Sequence, residues 1–395
     1  MLARTPLEAI SQFHDEMVTI RRDLHTHPEL GFQEFRTAGL VAGSLEALGL
    51  EVYRGIGKTG VVGVLRGLRS DSERMIGLRA DMDALPMQEI GSGEHRSRNP
   101  GVMHGCGHDG HTTILLAAAR YLVASPQFNG SVAFIFQPAE EGLGGAQAMI
   151  DDGLFERFPC DAVYALHNWP GLAPSYIGLN SGPMMAAADR FEIQVKGKGG
   201  HGAHPYQAID PILVCAQIIT ALQSIVSRNV NPMDSAVVSV GSVQAGQFGA
   251  MSVIPEMATI VGTVRTFRPS VQHMIEDRMR SLVTSIAQGF GASAQLRYEK
   301  LFPATINTPH EADIVARAAK RVVGDERVVR DLVPSMGSED FSFMLQHKPG
   351  AYFRLGQGGE PGSCQLHNPS YDFNDAVIPT GAAVFVEIVR QSLPL

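Results

Sequence analysis

Ten residues from Met103 to Thr112, MHGCGHDGHT, hold His104, Cys106, His108, Asp109 and His111. Cys106 and His108 stand one residue apart among Gly105, Gly107 and Gly110, so the backbone can turn both side chains toward one point. A thiolate and a neutral imidazole together suit zinc or a similar transition metal. The bland account of the same residues is a buried, inert cysteine beside structural histidines. Further along, Glu140 and Glu141 close SVAFIFQPAEE, a strand-like run. Side chains alternate across a strand, which predicts that the two carboxylates face apart, one to bind metal and the other free as a base toward an activated water. His167 in YALHNWP and His367 in QLHNPSYDFND stand where apolar segments give way to polar ones. Asp81 and Asp83 in RADMDALP share one face of a strand end, where an aspartate behind a ligating histidine fixes its tautomer. Taken singly, these are hydrogen-bonded histidines, a solvated acidic pair and an Asx turn. All five segments nevertheless fall at the expected strand ends of one sheet.

The elements that must position these residues read as α/β. VVGVL, RMIGLRADMDAL, SVAFIFQ and AVYALHNW are strand-like and alternate with helical HTTILLAAARYLVAS and GAQAMIDDGLF. Chemistry in such sheets sits at the carboxyl ends of the strands, which is where RADMDA, QPAEE and LHNWP fall. Near the N-terminus Thr5, Pro6 and Glu8 form a capping box, and Ile10, Phe13, Met17, Ile20 and Leu24 then mark one face of an amphipathic helix. From about Asp189 the order changes. Strand RFEIQVKG, a helix over 211–227, strands AVVSVGSV and MATIVGTVRTF, a helix around QHMIEDRMRSLVTSIAQGF and strand SAQLRYEKLF make a β-α-β-β-α-β, ferredoxin-like domain inserted into the larger one. Two glycine-rich segments are decoys. GIGKTG is followed by a strand rather than a helix that could hold phosphate, so it reads as a hairpin turn, and GKGGHG is followed by His204 and Pro205.

With 395 residues the chain is long enough for two domains. Its net charge of −8 and lack of a Lys/Arg run argue against nucleic acid as a partner. Apolar runs such as TTILLAAARYLV fall short of a membrane span, and MLARTPLEAI lacks a secretory signal, so a cytoplasmic protein is expected. Four scattered cysteines, Cys106, Cys160, Cys215 and Cys364, suit reduced thiols.

As a set, RRDLHTHPELGFQE, LRADMDALP, MHGCGHDGHT, QPAEE, GKGGHGAHP, GTVRTF, MGSEDFS and LHNPSYDFND resemble the aminoacylase-type family of two-metal amidohydrolases and metallopeptidases. The branch is that of hippurate hydrolases, N-acyl-amino-acid amidohydrolases and hydrolases of indoleacetyl-amino acids, and the likeness runs from about Arg21 to Asp375. It implies a metal-dependent exopeptidase-like catalytic domain over residues 1–185 and 304–395 and a lid and dimerisation domain over 186–303. It implies two divalent metal ions per subunit, zinc or manganese, on Cys106, His108, Glu141, His167 and His367. Glu140 then falls on the general base, Asp83 on a supporting aspartate, and His201 on a lid histidine that steadies the oxyanion, often across a homodimer. Arg265, in GTVRTF, falls where relatives bind the substrate carboxylate. Ser252, in MSVIP, replaces an asparagine of the usual substrate contact. The reaction implied is hydrolysis of N-acyl amino acids carrying acetyl, benzoyl or arylacetyl groups. Alternatives are a dipeptidase or carboxypeptidase of the same family, a hydrolase using Cys106 as nucleophile with His108 or His104 as its base, and a non-catalytic metal-binding relative.

Overall fold

The computed structural model describes residues 4–69, 71–91, 93–359 and 364–395 and divides into two compact units. One comprises Met1–Met184, Thr305–Val333 and Asp340–Leu395, the other Met185–Ala304 and Pro334–Glu339.

The larger unit is built on one sheet, in the spatial order Glu51–Ile56, Gly60–Arg66, Ser131–Gln137, Met75–Asp81, Ala162–Pro170, Gly350–Gly358, Ile177–Gly178 and Val328–Val329. From Ser131–Gln137 to Gly350–Gly358 every pairing is parallel, so four strands present their carboxyl ends along one edge. Their middles are apolar on both faces, as in VAFIF, because helices cover the sheet. The helix His108–Ala124 is buried from His108 through Ala119, which its uniformly apolar TTILLAAA run requires. Phe134, Phe136, Phe353 and Phe385 are fully buried in the same core, each contributing about 1.5–3 kcal/mol by leaving water. GIGKTG is the turn between the antiparallel strands Glu51–Ile56 and Gly60–Arg66.

At the N-terminus the capping box forms. Thr5 Oγ1 accepts the Glu8 N–H at 3.3 Å, and the Glu8 carboxylate accepts the Thr5 N–H at 2.9 Å. The apolar period from Ile10 to Leu24 is shared by two helices, Pro6–Ser11 and His14–Thr26, instead of running through one. The break is the turn at Gln12 and Phe13, where the Phe13 ring centroid lies 4.2 Å from the Arg120 guanidinium.

The smaller unit contains the β-α-β-β-α-β order of strand Ala187–Lys196, helix Pro211–Asn229, strands Ala236–Ala245 and Met257–Thr266, helix Pro269–Gly289 and strand Ser293–Phe302. Its antiparallel sheet places these strands second, third, first, fourth, the ferredoxin-like arrangement. Pro211–Asn229 is long and apolar enough to cross a membrane by length and composition, which the sequence reading, attending to other runs, overlooked. Here Val214, Cys215, Ile218, Leu222 and Ile225 form a buried stripe in the unit's own core. The segment Pro334–Glu339, assigned by sequence to the larger domain, is part of the smaller unit. The Ala186 N–H donates to the carbonyls of Ser335 and Gly337, and Arg265 Nη1 donates to Ser338 Oγ.

Candidate metal centre

Three of the parallel strands deliver chemistry to the same edge of the larger unit. Met75–Asp81 ends in Asp81 and leads to Asp83, Ser131–Gln137 leads to Glu140 and Glu141, and Ala162–Pro170 carries His167 near its end. Cys106 and His108 arrive differently from the sequence expectation, at the start of the helix His108–Ala124 instead of at a strand end. Gly107 makes the entry possible. It takes φ +93°, and a Cβ there would run into the Asn168 and Tyr371 side chains.

Glu140 and Glu141 also depart from expectation. The strand stops at Gln137, Pro138 has no N–H to continue it, and Ala139 adopts a left-handed φ of 52°, so the pair lies in a turn. Their carboxylates converge where a strand would have parted them: atoms of His108, Glu140 and Glu141 lie within 4.8 Å of one another. Asp83 enforces this by accepting the Glu140 N–H and the Glu141 N–H on its two oxygens, each at 3.0 Å.

The donor set fits a divalent cation. His108 Nδ1 donates to the Asp83 main-chain carbonyl at 2.9 Å and His167 Nδ1 to the Asn168 carbonyl at 2.7 Å, which leaves each Nε2 with its lone pair. His108 Nε2 is buried without a hydrogen-bond partner among the described residues. Cys106 Sγ lies 3.4 Å from His167 Nε2, and Cys106, His108 and His167 bring ligand atoms within 4.8 Å of one another. Cys106, Glu141 and His367 form a second such group. His367 reaches it from a loop, at φ 60°, with its N–H donated to the Gly105 carbonyl at 2.8 Å and its Nε2 3.1 Å from Glu141 Oε1. It is the most exposed of the five, its side chain 53% accessible.

Electrostatics point the same way. Burial, reinforced by Glu141, Glu140 and Asp81, pushes the Cys106 thiol well up, so a thiolate there needs a cation. Burial opposes charge on His108, but Asp81, Asp83 and Glu141 outweigh it and raise its pKa to about 10. That excess of negative charge is what a divalent ion neutralises.

Sequence reasoning missed the residues that brace this edge. Arg79, fully buried, donates to Asp81 at 2.8 Å, to Gln137 at 2.8 Å and to Asp340 at 3.0 Å. Asp340 in turn donates its N–H to Glu140 Oε1 at 3.3 Å. Asp81 also accepts from His111 Nδ1 at 2.6 Å; burial would raise its pKa, but His108, His111 and Arg79 hold the carboxyl well below the usual range. The available signal was a lone arginine inside the apolar strand MIGLRAD.

His201, Ser252 and Arg265 belong to the smaller unit. His201 is exposed on the short strand Gly200–His201, paired with Val253 of Val253–Ile254, and the Ser252 main-chain carbonyl accepts the Gly202 N–H at 2.8 Å. Arg265 is half-buried on Met257–Thr266, its pKa lowered by burial against the opposing pull of Asp189, and it is hydrogen-bonded to Ser338.

A parallel-sheet edge carrying thiol, imidazole and carboxylate donors beside a braced glutamate defines a metal-binding hydrolase of the α/β class. Residues 77–391 match Peptidase family M20/M25/M40. The hippurate hydrolase of Campylobacter jejuni is 44% identical, with 97% of this chain and 98% of that protein covered. An N-acetylcysteine deacetylase of Bacillus subtilis is 38% identical, with 95% and 96% covered. Among solved structures, the Bacillus subtilis YXEP protein, described as a dinuclear metal-binding peptidase of the M20 family, superposes with a TM-score of 0.84 at 34% identity, covering 97% of this chain and 99% of that one. The chain belongs to this peptidase family, and it is a metal-dependent hydrolase of amide bonds.

Proposed function

We propose that the protein cleaves N-acyl amino acids at the amide bond, releasing a carboxylic acid and a free amino acid. The observation that carries this reading is the convergence of Cys106, His108, Glu141 and His167 on one sheet edge with Glu140 beside them. Cys106, His108, Glu141, His167 and His367 would hold two divalent ions, zinc or manganese. Such ions would supply polarisation of the scissile carbonyl and a lower pKa for water.

Glu140 acts as the proton carrier, its carboxylate taking a proton from the attacking water and delivering it to the leaving nitrogen. The Asp83 and Asp340 contacts hold that carboxylate in register. Asp83 fixes the His108 tautomer. His201 donates to the oxyanion, and Arg265 pairs with the amino acid's carboxylate through the bidentate fork that suits arginine to this task. Ser252, shorter than asparagine, leaves more room beside His201. These last residues belong to the smaller unit, which in this reading serves as lid and as the interface of a homodimer in the cytoplasm.

The reading with Cys106 as nucleophile is disfavoured by its surroundings. Burial and three carboxylates raise the thiol's pKa, the reverse of what activates one. The test is a panel of N-acetyl, N-benzoyl and indoleacetyl amino acids and simple dipeptides, assayed on metal-free protein and after adding back zinc or manganese. Hydrolysis of acyl amino acids that disappears with the metal and returns with it is expected. Activity indifferent to chelation would overturn the mechanism, and cleavage of dipeptides alone would move the substrate class to peptides.

A further inference from the structure

A cavity of about 350 Å³ opens in the larger unit between Trp169, Pro170, Leu172, Leu332, Arg354 and Gln365. Its size is at the lower end of what small-molecule sites use. Trp169 lies two residues after His167 on the strand Ala162–Pro170, so both side chains leave the same face, and their ring centroids are 6.2 Å apart. Arg354 stands opposite His167 in the neighbouring strand and lays its guanidinium 3.7 Å from the Trp169 ring centroid. Gln365 is two residues from His367. Through Trp169, whose ring neighbours that of His167, the cavity lies beside the candidate metal centre.

The chemistry of the lining selects what it takes. Among the described residues lining the cavity Arg354 supplies the one formal charge, yet it is 4% exposed and its Nη atoms donate to the main-chain carbonyls of Val333 and Met184. Its fork is turned to the backbone and its flat face to the indole, where a cation–π contact holds the ring in place. What remains toward the cavity is an indole, a proline ring and two leucines, with the Gln365 amide as the uncharged polar group among them, a mainly apolar surface for an uncharged group. An acetyl group ends one bond from the scissile carbon, too short to cross the two-residue step from His167 to Trp169. A phenyl or arylmethyl group extends several bonds further toward Trp169 and offers it an aromatic face.

Resting on the function proposed above, we infer that this cavity is the acyl-group pocket and that it accepts an aryl-bearing acyl group packed against Trp169. Trp169 is the single tryptophan of the chain, so the metal-loaded protein reports on the pocket directly. Titration with benzoate or phenylacetate should change the intrinsic emission saturably, whereas acetate should leave it unchanged. Trp169→Ala should lower kcat/KM for an N-benzoyl amino acid about tenfold to a hundredfold more than for the N-acetyl counterpart. Competitive inhibition by benzoate with no change in emission would place the aryl group elsewhere and overturn the inference, and that measurement needs only the wild-type protein. A benzoyl-to-acetyl ratio unaltered in Trp169→Ala, with wild type active on both, would overturn the pocket and leave the proposed function standing. A wild type inactive on both would overturn the two together.

Discussion

Two main-chain N–H groups help to place Glu140. Its N–H is donated to Asp83, and its Oε1 receives the Asp340 N–H. A glutamine keeps the N–H and an Oε1 acceptor for both contacts, so Glu140→Gln should keep the local structure and the metal while losing the proton acceptor. Metal analysis should find the wild-type content, and kcat should fall by about two to four orders of magnitude. Retained activity would remove Glu140 from the proton-transfer role. At this scale the sequence was informative for the donors, because Cys106-x-His108 and the Glu140–Glu141 pair are local patterns of distinctive residue types. The geometry of that pair was not legible, since a left-handed Ala139 is not a type-specific signal. Nor was the brace between Arg79 and Asp340, which are 261 positions apart and linked only by the fold.

The helix that begins at His108 is tied to the helix His14–Thr26 by buried charge. His25, in His14–Thr26, donates from Nδ1 to Asp109 at 2.8 Å, and Arg21 on the same helix approaches Asp109 at 3.5 Å while pairing with Asp372 and Asp375. Burial opposes charge on His25, but Asp109 and Glu89 prevail and raise its pKa to about 9. A histidine whose folded pKa is raised stabilises the fold fully below its unfolded value of about 6.5, and that stabilisation is lost as pH rises through the folded value. His25→Gln should therefore be less stable than wild type at about pH 6, with the gap narrowing by on the order of 3 kcal/mol by about pH 10. Urea unfolding of both proteins across that range measures it, and a pH-independent gap would show that His25 is neutral in the fold. The strands and the βαββαβ order were legible from period and length. The turn at Gln12–Phe13 was not, because an apolar period persists across a break that keeps both helices on one core.

At the scale of the whole molecule, the smaller unit includes a second crossing, Pro334–Glu339, which the expected boundaries of 186–303 leave out. Residues 334–339 carry no periodic signal, and they join the smaller unit through the Ala186 N–H, shared by the Ser335 and Gly337 carbonyls, and the Arg265–Ser338 hydrogen bond. The proposed site draws its metal donors and Glu140 from one unit and His201 from the other, and in a symmetric dimer the histidine can complete the partner's site. An isologous pair makes this testable without a structure of the assembly. His201→Ala and Glu140→Gln proteins, each nearly inactive alone, should regain activity when unfolded and refolded together. A mixed dimer then has one site with both residues intact and one with neither. With random pairing half the dimers are mixed and half their sites work, so roughly a quarter of the wild-type rate is expected. Sedimentation should show a dimer throughout. Activity no greater than the sum of the two parents would mean that each subunit supplies its own His201, or that His201 has no part in the reaction. The His201→Ala protein assayed alone separates these, because a bystander histidine leaves its rate at the wild-type level.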